Sequence, residues 1–309
     1  MAPASSFNQT SKTVCVMDAS GRLGSTLVHR LLHIGYTVHA AIQSTGEWKQ
    51  SFEELLGSNN KKLRVFHSEP LDYQSIMEAL KGCSGLFYCF EPPSDQPSYD
   101  EFMAEVEVRA AHNVLEACSQ TDTIQKVVFT SSITAVIWRD DLTTTTTASD
   151  FDERNWSDIN FCKKLKLWHA LSKTLAEKTA WALAMDRGLN MVSINGGLVM
   201  APHYTITITN PYLKGAAEMY ENGVFVTVDL KFIVDAHICI FEDPSAYGRY
   251  LCFDQIINCS QSAVELANML MPHSSHPHAL EDSRVHQQRI SNKKLNKLMD
   301  DSQTRIQIH

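Results

Sequence analysis

From Thr13 onward, short β-branched runs alternate with stretches of helical periodicity, and this alternation restricts the fold more than any other feature of the chain. A strand covered on both faces reads as a nearly continuous apolar run, and the crossover to the next parallel strand needs a helix. Strands are predicted at 13–17 (TVCVM), 37–42 (TVHAAI), 63–67 (LRVFH), 85–90 (GLFYCF), 126–132 (KVVFTSS) and 190–195 (NMVSIN). Between the first two, Leu23, Leu27, Val28, Leu31 and Leu32 form one helical stripe, which Gly35 closes. Further helices are predicted over about 100–119, where Val106, Ala110, Val114 and Leu115 recur at helical spacing, and over about 164–186.

Beyond Asn195 the pattern loosens into a β-rich piece at 224–228 (VFVTV), a helix near 230–241, a strand at 248–253 (GRYLCF) and a polar tail rich in His, Gln and Lys. The expected architecture is α/β: a doubly wound, mostly parallel sheet of the Rossmann type with a smaller C-terminal substrate-covering region. Such sheets bind ligands beyond the carboxyl ends of their strands. Five threonines, Thr143 to Thr147, flanked by Asp140, Asp141, Asp150 and Asp152, lack apolar periodicity and are read as an exposed loop. Trp156, Trp168 and Trp181 lie in or beside apolar helical patterns and are read as packing residues rather than substrate platforms.

Bulk properties narrow the function. The 309 residues carry 27 Lys plus Arg against 35 Asp plus Glu, a net charge of −8, with no basic run to track a phosphate backbone. Nucleic acid is not an expected partner. The eight cysteines include no CxxC pair and sit mostly in apolar runs, which implies free buried thiols in a reducing compartment, without disulfides or zinc. His273, His276 and His278 form no recognisable ligand set and are read as surface, so no metal is expected. The opening MAPASSFNQTSK lacks the apolar stretch of a secretory signal, no apolar run approaches the length of a membrane span, and RIQIH is no known anchor. The expected location is the cytoplasm, without a membrane partner.

Directly after the first strand comes Asp18-Ala19-Ser20-Gly21-Arg22-Leu23-Gly24, opening the first helix. In that context a glycine loop reads as a dinucleotide site: Gly21 admits the diphosphate to the backbone, Gly24 lets helix and strand pack closely, and the helix N-terminus presents amides to the anion. The alternative is a plain strand-to-helix turn with glycines for packing. Asp18 stands where the first glycine is customary; Asp tolerates the left-handed turn, and capping local amides would occupy its charge. Arg22 is placed to offset that charge at a phosphate. At the end of the second strand, His39 and Gln43 occupy places where an NADP enzyme favours arginine; neither is an acid, so NAD gains no support. The chain divides accordingly into a flexible arm at 1–12, a dinucleotide core at 13–195 and a mixed substrate-binding region at 196–309 that contributes elements back to the core.

The glycine loop, FTSSITAV (129–136), NWSDINFCKKLKLWHALSKTLAEKTAWALA (155–184) and GRYLC (248–252) together resemble plant cinnamoyl-CoA reductases and the related dihydroflavonol reductases, members of the extended short-chain dehydrogenase/reductase superfamily. The likeness spans nearly the whole chain, and WSDxxFC…AEKxAW is its most specific part. It implies an NADP(H)-dependent reductase acting on a small phenylpropanoid-like carbonyl or acyl thioester, with NAD still open as cofactor and the oligomeric state undefined. In that family a serine, a tyrosine and a lysine carry the chemistry. The serine maps onto Ser132, with Ser131 beside it, the lysine onto Lys173, and the tyrosine onto His169. Residues 169 and 173 are four apart and share one helix face, as such a pair must. The implied cofactor set is Asp18, Ser20, Gly21, Arg22, Leu23, Gly24, Gln43, Glu69, Phe90 and Lys173.

This sequence departs from the family at Asp18, at Phe90 followed by Glu91, at Gly196 where proline is usual, and in the stretch from Lys166 to Lys173, which loses residues associated with CoA esters. An imidazolium can donate a proton, but a cationic Lys173 nearby favours neutral imidazole. Three readings stay open: a histidine-assisted reductase, an enzyme with another proton donor, and a noncatalytic dinucleotide-binding relative serving as a sensor or partner subunit.

Overall fold

The computed structural model describes residues 12–43, 61–90, 99–140, 151–201, 206, 209–270 and 284–307. The readings made on the 1–11 part of the arm, on Glu91, on the threonine run and on His273, His276 and His278 lie outside them.

The alternating pattern folds as expected. Seven parallel strands form one sheet: β1 (Thr13–Met17), β2 (Thr37–Ile42), β3 (Leu63–His67), β4 (Gly85–Tyr88), β5 (Lys126–Ser132), β6 (Met191–Gly196) and β9 (Gly248–Cys252). They lie in the order β3-β2-β1-β4-β5-β6-β9. The order reverses direction between β1 and β4, and a crevice at such a switch point is where open α/β sheets bind ligands. The in-register pairs Met17 with Tyr88 and Tyr88 with Phe129 place the carboxyl ends of β1, β4 and β5 on one edge.

Two faces of the sheet are covered. Along β1, Val14 and Val16 face one side with Leu27, Val28 and Leu31 of helix α1 (Arg22–His33), and with Ile233 of helix α8 (Leu230–Glu242). Cys15 and Met17 face the other, against Ile76 and Leu80 of α2 (Tyr73–Leu80), Val114 of α3 (Glu101–Ser119), and Ala176 and Ala180 of α6 (Trp168–Arg187). Leu27 and Leu31 are fully buried, each worth about 1.5–3 kcal/mol. A third cluster joins Ile133, Trp138, Leu171, Tyr212, Phe225 and Leu266 beneath a small sheet, β10-β8-β7, made of β7 (Leu198–Met200), β8 (Val226–Asp229) and β10 (Gln255–Ile256).

Several boundaries differ from the sequence reading. The helix expected over about 164–186 starts later, as α6 (Trp168–Arg187), and a short α5 (Ile159–Lys164) precedes it, separated by a turn in which Lys166 adopts φ +55. Short α4 (Thr134–Ile137) and α7 (Ala216–Glu221), together with α2, were not anticipated. Nor is the tail merely polar: α9 (Ser260–Leu270) and α10 (Lys293–Gln307) lie there, and Leu295, Leu298 and Met299 of α10 pack on the first core cluster. Those three sit at helical spacing, a signal masked by the surrounding Lys, Asn and Asp. Trp168 and Trp181 pack against core clusters, and Trp156 lies under the Arg249 guanidinium, 3.6 Å from the ring centroid.

Candidate active site

At the end of β1 the chain turns through Asp18, whose φ of +60 is left-handed. That conformation costs a residue with a Cβ about 1–2 kcal/mol. Ser20 Oγ donates to Asp18 Oδ1 at 3.1 Å, and the Gly21 amide donates to the Asp18 carbonyl at 3.2 Å. A Cβ on Gly24 would stand 2.2 Å from the Asp18 carbonyl oxygen, so only glycine lets α1 seat against this turn. Gly21 itself is extended, φ −67 and ψ 165, a conformation open to any residue; what it contributes is the absence of a side chain. Gly21, the N-cap of α1, offers no side-chain cap and no acid stands in the first turn, so the positive dipole end of the helix suits an anion.

A narrow cleft opens here, lined by Met17, Asp18, Gln43, Ser68, Pro70, Tyr88 and Phe90 among others. Asp18, Gln43 and Phe90 of the expected cofactor set thus come together. Glu69 does not join them: its neighbours Ser68 and Pro70 line the cleft, while its carboxylate lies 3.4 Å from His67 Nε2. Leu23 packs into the core, and the Arg22 carbonyl accepts from Ser25 and Thr26 hydroxyls. His39 is turned inward, its Nδ1 bonded to the Ala79 carbonyl at 2.8 Å, and burial lowers its pKa. The buried Tyr88 hydroxyl has no hydrogen-bond partner within the described residues, a polar group in the cleft wall that a bound nucleotide would satisfy. The positive dipole end of α1 and this orphaned hydroxyl fit a phosphate-bearing cofactor.

On the neighbouring strand, Ser132 ends β5. The Thr134 hydroxyl donates to Ser132 Oγ at 3.0 Å and lies 3.1 Å from His169 Nδ1, so Ser132 and His169 are linked through Thr134 rather than directly. His169 sits between the rings of Tyr99 and Tyr212, with centroids at 5.4 and 6.3 Å. Loss of solvation, with the Lys173 charge second, lowers its pKa to about 3. His169 is therefore neutral at physiological pH, as the sequence argument about Lys173 expected, although desolvation is the larger cause.

One helical turn on, Lys173 Nζ donates to the carbonyl of Phe90, a residue that lines the first cleft, at 3.1 Å. Its charge meets Glu107 Oε1 at 2.7 Å, both side chains being almost wholly buried. The other Glu107 oxygen accepts from the Tyr99 and Ser172 hydroxyls, and those two hydroxyl oxygens lie 2.9 Å apart. Burial and Glu107 push the Tyr99 pKa up; it stays a phenol. Glu107, Tyr99, Ser172 and Thr134 were absent from the sequence reading. Glu107 had a visible signal, for it shares the buried stripe of Met103, Ala110 and Val114 on α3.

A second, wider cleft adjoins the N-terminus of α6. Trp138, Phe161, Leu165 and Leu167 supply apolar walls, with Arg139, Lys214 and Glu218 among the charged lining. Among the described residues, no group of three or more His, Cys, Asp or Glu could hold a metal ion. None of their helices is long and apolar enough to cross a membrane.

A doubly wound sheet with this turn beyond β1, a serine closing β5 and a lysine on the packed helix is the framework of the extended short-chain dehydrogenases/reductases. Residues 10–140 match the model of the NmrA-like family. Cinnamoyl-CoA reductase 1 of Petunia hybrida is 36% identical over 93% of this chain and 86% of the relative, and the chain belongs to the cinnamoyl-CoA reductase family. Among solved structures, vestitone reductase from alfalfa (Medicago sativa) is similar with a TM-score of 0.69 at 24% identity, covering 93% and 91% of the two chains. A yeast methylglyoxal/isovaleraldehyde reductase solved with NADPH has a TM-score of 0.71 at 17% identity, covering 93% of each.

Proposed function

We propose that the chain is an NADPH-dependent reductase of a phenylpropanoid-like aldehyde, ketone or acyl thioester. The observation that carries this reading is continuity. Lys173 bonds the carbonyl of Phe90, Phe90 lines the nucleotide cleft, and Ser132 and His169 stand at the same sheet edge. When bound, a reduced nicotinamide supplies hydride to the carbonyl carbon. Ser132 hydrogen-bonds the carbonyl oxygen, and the neutral His169 backs it through Thr134, whose hydroxyl lies 3.0 Å from Ser132 Oγ and 3.1 Å from His169 Nδ1. Lys173 binds the nicotinamide ribose. Ser20, Gly21, Arg22, Leu23 and Gly24 form the diphosphate turn, and Gln43, with no acid at the end of β2, suits the phosphorylated ribose. The aromatic walls of the larger cleft match a planar ring, and Arg139 and Lys214 match an anionic tail.

The test is NADPH consumption against a panel of aromatic aldehydes, aryl ketones and aromatic CoA thioesters, with wild type, His169→Tyr and Lys173→Ala. Turnover by wild type, reduced about 100-fold or more in Lys173→Ala, supports the reading. A second reading, a noncatalytic dinucleotide-binding sensor or partner subunit, is favoured by one observation: Lys173 spends its charge on Glu107. Activity that appears only in His169→Tyr would support it.

A further inference from the structure

Reduction of a carbonyl needs a proton as well as a hydride, and no side chain at this site is an obvious acid. His169 is neutral, and the Tyr99 hydroxyl donates to Glu107. Ser132, however, does not stand alone. Its Oγ receives the Thr134 hydroxyl at 3.0 Å and the Thr134 amide at 3.2 Å, and the same hydroxyl reaches His169 Nδ1 at 3.1 Å. Thr134 is 2% exposed, so bulk water does not compete for its single proton. A hydroxyl that donates to Ser132 can only accept at its other partner, which places the His169 proton on Nδ1. Among the described residues, His169 Nε2 has no hydrogen bond, leaving it as the end of the chain where a proton can enter.

We infer that Thr134 is a relay residue: Ser132, Thr134 and His169 form a directed proton wire that takes the place of a single acidic phenol. The inference rests on the reductase reading. As hydride reaches the carbonyl carbon, the C=O π pair moves onto oxygen, which takes the proton of Ser132 Oγ. Ser132 takes the Thr134 proton, and Thr134 takes the Nδ1 proton of His169. A water-derived proton adds to Nε2, so His169 ends neutral, as its other tautomer, and each hydroxyl ends with one proton. No charged imidazole forms, consistent with the cost of charging this largely desolvated ring beside Lys173. Tautomer exchange through water resets the wire.

Two readouts test this. In the cofactor-free protein labelled with ¹⁵N-histidine, Nδ1 of His169 should carry the proton in wild type and Thr134→Ser, and Nε2 should carry it in the near-isosteric Thr134→Val. With NADPH and a turned-over carbonyl, Thr134→Val should lose about 100-fold in kcat with KM and NADPH affinity little changed. Thr134→Ser should restore most of it. A wild-type Nε2–H tautomer, or a Thr134→Val kcat within twofold of wild type, overturns the relay while leaving the reductase reading intact. Absence of wild-type turnover overturns the reductase reading, and the wire then survives only as a structural chain read by the tautomer.

Discussion

Glu107 and Lys173 form an ion pair at 2.7 Å in which both side chains are nearly sealed from water. Breaking a buried pair by removing one partner leaves an uncompensated charge and costs about 3–5 kcal/mol, whereas replacing both by apolar groups is often neutral. Glu107→Leu is therefore expected to lose about that amount, and Glu107→Leu with Lys173→Met to recover most of it. Urea unfolding checks both; a single variant as stable as wild type would contradict the pairing.

Asp18 sits left-handed in the lining of the first cleft, where Gly24 packs against its carbonyl. Asp18→Gly removes about 1–2 kcal/mol of backbone cost and a negative charge beside the expected diphosphate. NADPH should bind about fivefold tighter, an advantage shrinking at high salt. Gly24→Ala should abolish binding, because the new methyl collides with backbone. Fluorescence titration at two ionic strengths reads both.

Acid sensitivity has a defined origin. His237 is fully buried, with Nδ1 bonded to the Ile233 carbonyl at 2.7 Å and Nε2 to Thr130 Oγ1 at 2.8 Å, and burial lowers its pKa from 6.5 to about 4. His169 is lowered to about 3. Between these values and 6.5 the unfolded chain binds more protons than the folded one, so stability is full above 6.5 and lost as pH falls. His237 alone should cost roughly 3 kcal/mol by pH 4. His237→Gln should lose less stability than wild type between pH 7 and pH 4 in urea titrations; an equal loss would assign the acid limb elsewhere.

Glu177 ties four elements together. Fully buried on α6, it accepts from Ser131 on β5 at 2.8 Å, Ser193 and Asn195 on β6 at 2.6 and 2.8 Å, and Arg249 on β9 at 2.8 Å. Arg249→Met should cost about 3–5 kcal/mol with little change in NADPH affinity. A parallel loss of stability and affinity would place this node in the cofactor site instead.

The sheet was legible because buried parallel strands declare themselves as apolar runs between helical stripes, and the turn from Asp18 to Gly24 because it falls between one strand and one helix. Ser132, His169 and Lys173 were placed by resemblance, and in the structure Thr134 links Ser132 to His169, one helical turn from Lys173. Their partners were less visible. Thr134 and Ser172 are ordinary residues whose meaning depends on contacts across 35 and 65 positions of sequence. Glu69 was named for the cofactor by resemblance, but it is not among the residues lining the cleft, and its carboxylate lies 3.4 Å from His67 Nε2. The tail helix α10 was obscured because its apolar stripe is only one side chain wide amid polar neighbours.

The central claim is that the cleft at β1, β2 and β4 holds NADPH with its reactive end at Lys173 and His169. Titration of the purified chain with NADPH, followed by nucleotide fluorescence, tests it most directly. Saturable one-to-one binding that is lost in Gly24→Ala and weakened in Lys173→Ala is the expected result. No binding of NADPH or NADH to the folded wild-type protein would contradict the account.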